Sequence, residues 1–334
     1  MTVSLKDVAE RAGCSPSTVS KVIHNRSGVG DDTKRKVEET LRELNFQPRG
    51  HHRKVRKSGA TIGLIVRMNQ TLESEQCYSK IIEGLTRELQ ELGCHLLYNV
   101  QHETDIDEGT FRSSILKRNV DGFVIIGADF DPEFYEKVLR SGIPAILVDN
   151  DSPHFSCINT DNYGGGAAAA HYLMNRGHRD ILFLAGPMKH NSIRSRYHGF
   201  RDTVKDTAHM NISVCEAPGV SVDDGHYAIA TLPKIDSTAI FASTDKLAIG
   251  AMKALKERGL SIPDDVSLVG FDGIEWTEHT DPPLSTIVTA KVQIGVMAAQ
   301  LLTNISSREN FHRVAATVGT TLVERASVKR TDTR

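Results

Sequence analysis

The hydrophobic residues near the start of the chain recur at helical spacing. Those of the first predicted helix fall on one face at i, i+3, i+4 and i+7, and they are Leu5, Val8, Ala9 and Ala12. Gly13 follows and suits the left-handed residue that commonly ends a helix. A second helix is predicted from Ser15, which can cap it, and from Pro16, which the first turn tolerates.

A third helix is predicted after Asp31 or Asp32, either of which can act as its cap. Val37, Leu41 and Leu44 form its apolar face. Because all three predicted helices have one apolar face, we expect them to share a core and to form a small all-α head.

From residue 60 onward, strand-like segments alternate with helix-like segments, which is typical of parallel sheets covered by helices. In the first half the predicted strands are 61–66, 95–100, 122–126 and 145–148, and the helices are 80–92, 107–118 and 131–141. In the second half the strands are 181–185, 214–217, 239–242 and 267–271, and the helices are 163–176, 192–205, 223–232 and 245–258. The predicted fold class is α/β: an all-α head and two doubly wound halves, with a ligand cleft at the carboxyl ends of the strands.

Charge is distributed unevenly along the chain. Residues 1–58 contain 13 Lys and Arg against 7 Asp and Glu, a net charge of +6, whereas the remainder carries −8. A basic head on an acidic body suits a protein that binds the phosphate backbone of nucleic acid through its head alone.

Several other classes of protein are disfavoured. No apolar run approaches the ~18 residues of a membrane span, and five scattered cysteines without a C-x-x-C pair fit neither a disulfide framework nor a thiolate metal site. The motifs of serine hydrolases, zinc proteases and P-loop NTPases are absent, and Gly164-Gly165-Gly166 lacks the spacing of a dinucleotide site. We therefore expect a cytoplasmic protein without membrane partner, enzyme activity, metal or cofactor.

The order of helix, glycine turn and capped helix is that of a helix-turn-helix, whose second helix enters the major groove of DNA. The expected DNA contacts of this helix are Ser15, Pro16, Ser17, Thr18, Ser20, Lys21, His24 and Asn25. Hydroxyl groups bond to several bases, and Lys21 can reach a guanine or a phosphate, so these residues do not specify an operator sequence. A three-helix domain without DNA function is the alternative.

One stretch of the chain resembles the start of the lactose-repressor and galactose-repressor family. It runs from Leu5-Lys6-Asp7-Val8-Ala9 to Ser17-Thr18-Val19-Ser20-Lys21-Val22-Ile23. The similarity continues to about residue 325. It implies a DNA-binding transcriptional regulator, a repressor in the simplest case, whose body is similar to periplasmic sugar-binding proteins. The implied partners are a pseudopalindromic operator in double-stranded DNA, a second copy in a homodimer, and a small-molecule effector.

The resemblance also implies how the domains are arranged. The chain would cross between two lobes near 159–161, near 288–291 and near 318–320. The implied domains are the helix-turn-helix head at 1–47, a hinge at 48–59, an N-terminal lobe at 60–160 with 290–319, and a C-terminal lobe at 161–289 with 320–330.

The basic hinge departs from the family pattern. In the family this segment forms a helix on the operator and inserts a leucine into the minor groove, a general device for kinking DNA. Where the family has Ala-Arg-x-Leu, this chain has His52-Arg53-Lys54-Val55, with Gly50 one turn earlier. The Val55 wedge is smaller and the helix intrinsically poorer, so we expect more phosphate contacts, with Arg49 and Arg53 as candidates, and a steep salt dependence. A plain charged linker is the alternative.

The family's ligand-facing segments match Arg196-Tyr197-His198-Gly199-Phe200, Ser243-Thr244-Asp245 and Gly270-Phe271-Asp272. The resemblance implies effector contacts from Arg196, Asp245 and Asp272, and from Asp149 at the end of a strand. An arginine fork and carboxylates suit a ligand with several hydroxyl groups. The other candidates are Ser192, Lys291, and the rings of Tyr78 and Trp276, for which core packing is the alternative. For the charged residues a helix cap or a salt bridge is the alternative.

Two departures bear on the ligand. Lys291 stands where the family commonly has an apolar or aromatic residue, and Glu75-Gln76-Cys77-Tyr78 replaces its Asn-Pro-aromatic run. Lys291 with Arg196, helped by Lys189, would favour an anionic ligand. The predicted effector is a sugar or a sugar phosphate. A nucleobase or partner-protein corepressor, a pure sugar-binding protein and an enzyme are the alternatives.

Overall fold

The structure is a computed structural model that describes residues 5–23, 28–44, 59–68, 76–102, 120–127, 130, 132–305 and 312–331. The head contains α1 (Leu5–Ala12), α2 (Pro16–Ile23) and α3 (Asp31–Glu43). Their shared core consists of Val8, Ala9, Val19, Val22 and Val37. The predicted all-α head is confirmed.

The ends of the head helices follow local backbone chemistry. Gly13 has φ +65°, and the N–H of Cys14 donates to the carbonyl of Ala9 at 3.0 Å, which closes α1 as predicted. The predicted cap of α3 is wrong, because α3 begins at Asp31. Asp31 and Asp32 instead occupy the first turn, where the helix dipole favours negative charge.

Twelve strands and seven further helices are described beyond the head. The strands are β1 (Thr61–Met68), β2 (His95–His102), β3 (Gly122–Ile126), β4 (Ala145–Val148), β5 (Ser156–Thr160), β6 (Asp180–Ala185), β7 (Asn211–Glu216), β8 (Ala239–Ala242), β9 (Ser267–Asp272), β10 (Ser285–Thr289), β11 (Ala315–Val318) and β12 (Thr320–Val323). The helices are α4 (Gln76–Glu91), α5 (Pro132–Ser141), α6 (Asn162–Asn175), α7 (Asn191–Val204), α8 (Val222–Ala230), α9 (Asp245–Glu257) and α10 (Lys291–Ile305), with a 3₁₀ helix at Glu275–Glu278.

The strands form two six-stranded sheets, with the orders β11-β5-β4-β3-β1-β2 and β12-β10-β9-β8-β6-β7. We call the first sheet with α4 and α10 the first lobe, and the second sheet with α6 to α9 the second lobe. The chain passes between the sheets after β5, after β10 and after β11. All pairings are parallel except that of β12 with β10, because the chain runs straight on from β11 and enters the second sheet from its carboxyl edge. The predicted α/β class with two wound sheets is confirmed.

The second sheet is buried on both faces by alternate residues of its strands. Ile181 and Phe183 of β6 pack with α6 and α7, whereas Leu182 and Leu184 pack with α8 and α9. Strands buried on both faces give continuous apolar runs instead of alternation. This is why β6, β8 and β9 were recognisable in the sequence as apolar segments.

Several elements were missing from the prediction. Strands β5, β10, β11 and β12 are short and each contains threonine, so they lack the continuous apolar run by which the equally short β3, β4 and β8 were predicted. The buried residues of α10 form one face, but the half-buried Val296, Met297 and Leu301 extend the apolar residues around most of the helix, so the sequence shows no distinct apolar stripe. The helix predicted at 107–118 lies outside the described residues.

Three helix pairs pack through glycines that face the backbone of the partner helix. A Cβ at Gly166 of α6 would lie 2.1 Å from the carbonyl oxygen of Arg196 on α7, and one at Gly199 of α7 would lie 1.9 Å from that of Tyr163. Reciprocal contacts of the same kind join α4 with α10 and α8 with α9, through Gly84 and Gly295 and through Gly225 and Gly250. The close approach of α6 fixes the position of the helix that carries Arg196.

Candidate functional site

The exposed side of α2 carries most of the predicted DNA contacts that the structure describes. Ser15, Pro16, Ser17 and Lys21 are exposed, and Thr18 and Ser20 are half-buried. The opposite side of the helix is anchored in the head by Val19 and Val22. The other predicted contacts, which are His24, Asn25, Arg49, Arg53 and Val55, lie outside the described residues.

Ser15 organises the start of α2. Its hydroxyl oxygen accepts a hydrogen bond from the N–H of Thr18 at 3.1 Å, which is the predicted cap. The same oxygen lies 2.7 Å from Oγ of Ser17 and 2.9 Å from Oγ1 of Thr18. Since the hydroxyls of Ser15 and Ser17 bond to each other at the start of the helix, the exposed Lys21 is better placed than either to reach a base or a phosphate.

A cavity lies between the two lobes, where the carboxyl ends of β4 and β9 meet the start of α10. Five of the eight predicted effector contacts line it, namely Tyr78, Asp149, Arg196, Asp272 and Lys291. Its volume is about 40 Å³, whereas pockets for small molecules usually measure about 300–1,000 Å³. The lobes must therefore separate, or the lining side chains must turn, before a sugar-sized ligand fits.

Arg196 occupies the centre of this cavity with all parts of its guanidinium engaged. Nε donates to Oδ1 of Asn162 at 2.8 Å, Nη1 donates to the carbonyl of Ser243 at 2.6 Å, and Nη2 lies 3.2 Å from Oδ1 of Asp272. Its Cζ stacks 3.8 Å from the ring centre of Phe271. The side chain is thus buried, oriented and paired with a carboxylate that also lines the cavity.

Asp149 follows β4 in a left-handed conformation, with φ 56°, which is uncommon outside glycine. Its Oδ2 accepts a hydrogen bond from the hydroxyl of Tyr78 at 3.2 Å. Burial raises the pKa of Asp149, and the positive charge of Arg196 and the Tyr78 hydroxyl act in the opposite direction. The carboxylate therefore lies in a polar corner where a ligand hydroxyl can replace the tyrosine.

Lys291 connects the two lobes directly. As the first residue of α10 it belongs to the first lobe, and its Nζ donates to the carbonyl of Asp272 in the second. Oγ1 of Thr289 donates to the same carbonyl at 3.3 Å. Asp272 itself has φ 113°, a value that is uncommon outside glycine.

Asp245 was predicted as a ligand contact, but the structure places its carboxylate behind the cavity. The side chain is fully buried; Oδ1 accepts from the Thr286 hydroxyl at 2.6 Å and Oδ2 accepts from the N–H of Ile274 at 2.8 Å. It does not cap α9 either, because Thr244 does. In this conformation Asp245 supports the segment after β9 and is not among the residues that line the cavity.

Burial raises the pKa of Asp245 to about 7, with a further contribution from the negative charge of Asp272. A carboxyl group whose pKa is higher in the folded than in the unfolded state stabilises the fold below its unfolded pKa, and this contribution is lost as the pH rises through the folded value. We therefore expect the free energy of unfolding to fall between about pH 4 and pH 7 because of Asp245. In urea titrations at pH 5 and pH 8, D245N should show a smaller decrease than the wild type. D206N, which alters an exposed carboxylate, serves as the control, and equal decreases in D245N and wild type would contradict the assignment.

The remaining predicted contacts lie apart from the cavity. Trp276 is 43% exposed on the 3₁₀ helix, so it neither lines the cavity nor packs in the core. Ser192 lies in the first turn of α7 and Lys189 is exposed. Neither of them is among the lining residues. The described lining therefore contains four of the charged candidates, Asp149, Arg196, Asp272 and Lys291, together with the aromatic Tyr78.

The sequence analysis missed uncharged residues of the site. Thr160 and Thr289 line the cavity, and Asn162 and Ser243 hold Arg196. These four residues share a position that could have indicated them: each lies at the end of a strand, directly after one, or directly after a passage between the sheets. Composition gives no comparable signal for a buried asparagine.

Two negative findings apply to the part of the chain that the structure describes. Within it, no three His, Cys, Asp or Glu side chains are grouped so as to hold a metal ion. None of the helices there has the length and apolar character needed to cross a membrane.

Comparisons with known proteins match both parts of the molecule. Residues 4–49 match the model of bacterial regulatory proteins of the lacI family, and residues 170–328 match the periplasmic binding protein-like domain. An HTH-type transcriptional repressor PurR from Pectobacterium carotovorum subsp. carotovorum is 33% identical to the chain, over 97% of its length and 96% of the relative's.

Solved structures of transcriptional regulators are also similar to this chain over nearly its whole length. A complex of the transcriptional regulator CelR with cellobiose has a TM-score of 0.73 and 26% identity, and it covers 97% of this chain and 99% of that one. A lac repressor dimer bound to operator and the anti-inducer ONPF has a TM-score of 0.72 and 26% identity, with coverage of 98% and 100%. With its helix-turn-helix head, its two wound lobes and a full-length relative above 30% identity, the chain belongs to the lacI family of bacterial transcriptional regulators.

Proposed function

We propose that this protein is a cytoplasmic transcriptional repressor whose affinity for an operator is set by a small metabolite bound between its lobes. The observation that carries the proposal is the interlobe cavity, in which Arg196, Asp149, Asp272 and Lys291 converge from both lobes. A cavity lined from both lobes links ligand binding to their separation, and a ligand that prefers one arrangement shifts the population towards it. We assign it no catalytic role.

The DNA-binding part of the proposal is supported by the net charge of +6 in residues 1–58 and by the exposed side of α2. The lac repressor structure is that of a dimer on its operator, and we propose that this chain likewise binds a pseudopalindromic site as a homodimer. Two-fold symmetric heads then contact two half-sites. The domain boundaries implied by the resemblance, with the hinge at 48–59, are part of this proposal.

Lys21 provides the test of the DNA contact. K21Q is expected to weaken binding to an operator selected from random duplexes, and to reduce the slope of log affinity against log salt concentration by about 1, because one phosphate or base contact by a cation is lost. Fluorescence anisotropy at several salt concentrations measures both quantities. The matched control is K36Q, which removes an exposed charge from α3. If K21Q and K36Q give the same slope, Lys21 does not face DNA.

The charges of the cavity favour a neutral polar ligand. Two carboxylates, Asp149 and Asp272, face two cations, Arg196 and Lys291, so the lining has no formal net charge. Lys291 is engaged with a backbone carbonyl and would have to be released to pair with a phosphate. We therefore propose a neutral sugar in preference to the sugar phosphate that Lys291 suggested in the sequence, and the cellobiose complex of CelR supports this class.

A corepressor is the second candidate for the ligand. The relatives named PurR are repressors, and Tyr78, the aromatic residue among the described lining residues, offers a face on which a nucleobase could stack. A partner protein that acts as corepressor remains a further alternative from the family resemblance.

Calorimetry with a defined ligand panel distinguishes these classes. The panel consists of D-ribose, D-glucose, cellobiose, glucose 6-phosphate and hypoxanthine. We expect a neutral sugar to bind more tightly than the phosphate, and operator affinity to change by the same factor with which DNA changes ligand affinity. Preference for glucose 6-phosphate would restore the anionic hypothesis, and binding of hypoxanthine alone would favour the corepressor. A panel without any binding would contradict the proposed sugar effector.

A further inference from the structure

The first passage of the chain between the sheets contains two asparagines that hold one polar group from each lobe. Asn159 lies near the end of β5, in the first lobe, and bonds to the chain next to Asp149. Asn162 is the first residue of α6, in the second lobe, and bonds to Arg196. Neither asparagine lines the cavity.

Asn159 holds the turn that presents Asp149. Its Oδ1 accepts from the backbone N–H of Asn150 at 2.9 Å, and its Nδ2 donates to the carbonyl of the same residue at 3.0 Å. Asn150 in turn donates from Nδ2 to the carbonyl of Gly127 at 3.0 Å. Only a side chain with a donor and an acceptor in one plane can make both contacts, and they hold the left-handed backbone of Asp149 in place.

Asn162 orients the guanidinium of Arg196. It is 8% exposed, and its Oδ1 accepts from Nε of Arg196 at 2.8 Å. Its Nδ2 donates to the carbonyl of Thr160 at 3.2 Å, which ties the side chain to its own segment. With Nε fixed, the two Nη atoms point to Ser243 and Asp272.

The segment between the two asparagines is itself fixed at both ends. The N–H of Asp161 donates to the carbonyl of Val318 at 2.8 Å, which connects it to the third passage between the sheets. Oδ1 of Asp161 accepts from the N–H of Gly164 at 2.8 Å and caps α6. Residues 159–162 therefore form a short rigid connection between the two groups that face the ligand.

We infer that Asn159 and Asn162 are a positioning pair, which sets the placement of Asp149 relative to Arg196 and so determines which small polar molecule spans them. The effect on ligand selection rests on the proposed function. The positioning itself does not, because it is a property of the protein without ligand.

The first experiment measures positioning without ligand in the full-length protein. Hydrogen exchange by NMR is followed at the Nε–H of Arg196 and at the backbone N–H of Asn150. N162A is expected to accelerate exchange of the Arg196 Nε–H at least tenfold, because it removes the oxygen that accepts this hydrogen. N159A is expected to accelerate exchange of the Asn150 backbone N–H at least tenfold for the same reason. The matched control is N175A, which alters an exposed asparagine at the end of α6.

Aspartate variants separate positioning from a general loss of stability. N162D loses the contact of Nδ2 with the Thr160 carbonyl, but its carboxylate accepts from Nε of Arg196 in a charge-assisted hydrogen bond, so slow exchange there is expected to be retained. N159D keeps the acceptor but places a second carboxylate oxygen against the carbonyl of Asn150, so it is expected to behave like N159A. Thermal midpoints measured on all variants show whether they are equally folded.

The second experiment measures affinity for the member of the ligand panel that binds most tightly to the wild type. N159A and N162A are expected to bind it about tenfold more weakly, and N162D within threefold of the wild type. Exchange rates in N159A and N162A equal to those of N175A would overturn the inference, and so would accelerated exchange with unchanged affinity. If no panel member binds, the proposed sugar effector fails, and the exchange rates alone decide whether the pair positions Asp149 and Arg196.

Discussion

Replacing Arg196 with leucine is expected to abolish the response of operator binding to the ligand, with ligand affinity reduced at least ~100-fold. The variant removes the guanidinium that bonds at once to Asn162, Ser243 and Asp272. It also leaves the carboxylate of Asp272 without its buried partner. R196K is expected to recover little, because one ammonium cannot replace a planar fork with three separate acceptors.

The measurement for Arg196 is operator affinity with and without the tightest-binding member of the panel. R194L is the matched control, since Arg194 lies on the same helix but is exposed and donates to the carbonyl of Met188 at the surface. R194L should respond to ligand like the wild type. A normal ligand response in R196L, with the protein folded, would show that the ligand does not use this cavity.

Replacing Gly166 with alanine is expected to lower the free energy of unfolding by about 2 to 3 kcal/mol, at the upper end of ordinary overpacking. The new methyl group would lie 2.1 Å from a backbone oxygen on α7, so it can be accommodated only if α6 and α7 move apart. Because that oxygen belongs to Arg196, the same displacement should weaken ligand binding. G166A is therefore expected to affect both the stability of the fold and the position of Arg196 through the contact between α6 and α7.

Urea unfolding followed by circular dichroism measures the change in the free energy of unfolding. Calorimetry with the tightest-binding panel member measures the change in ligand affinity. G319A is the matched control, because no atom lies within 4 Å of a Cβ built at Gly319 and its φ is not positive. G319A is expected to change stability by less than ~0.5 kcal/mol. If G166A unfolds at the urea concentration of G319A, the α6–α7 contact is not as close as the structure indicates.

The head and the wound lobes were predictable because their signals are local. Gly13 and Ser15 end one helix and begin the next through their own backbone and hydroxyl group. Strands such as β6 are continuous apolar runs. Strands β5 and β10 contain polar residues, and α10 has apolar residues around most of its circumference, so none of them has the local pattern that identified the other elements.

For the candidate site, residue type and position identified some members and misassigned others. Arg196, Asp149 and Asp272 lie in the cavity, as the resemblance implied, although their contact with a ligand stays a prediction. Asp245 has the same charge and a similar position after a strand, yet its oxygens are used by Thr286 and Ile274. Trp276 is aromatic and lies close to Asp272 in sequence, but the 3₁₀ helix turns it outward.

The sequence by itself determined the three helices of the head, most helices and strands of the lobes, the basic character of residues 1–58 and the family of the protein, because spacing, charge and turn residues act over a few positions. Only the tertiary structure decided which charged groups share one cavity, which carboxylate is buried behind it, and that Asn159 and Asn162 hold its two sides. Those relations join residues tens of positions apart, and they arise from packing and from the need of each buried polar group for a partner.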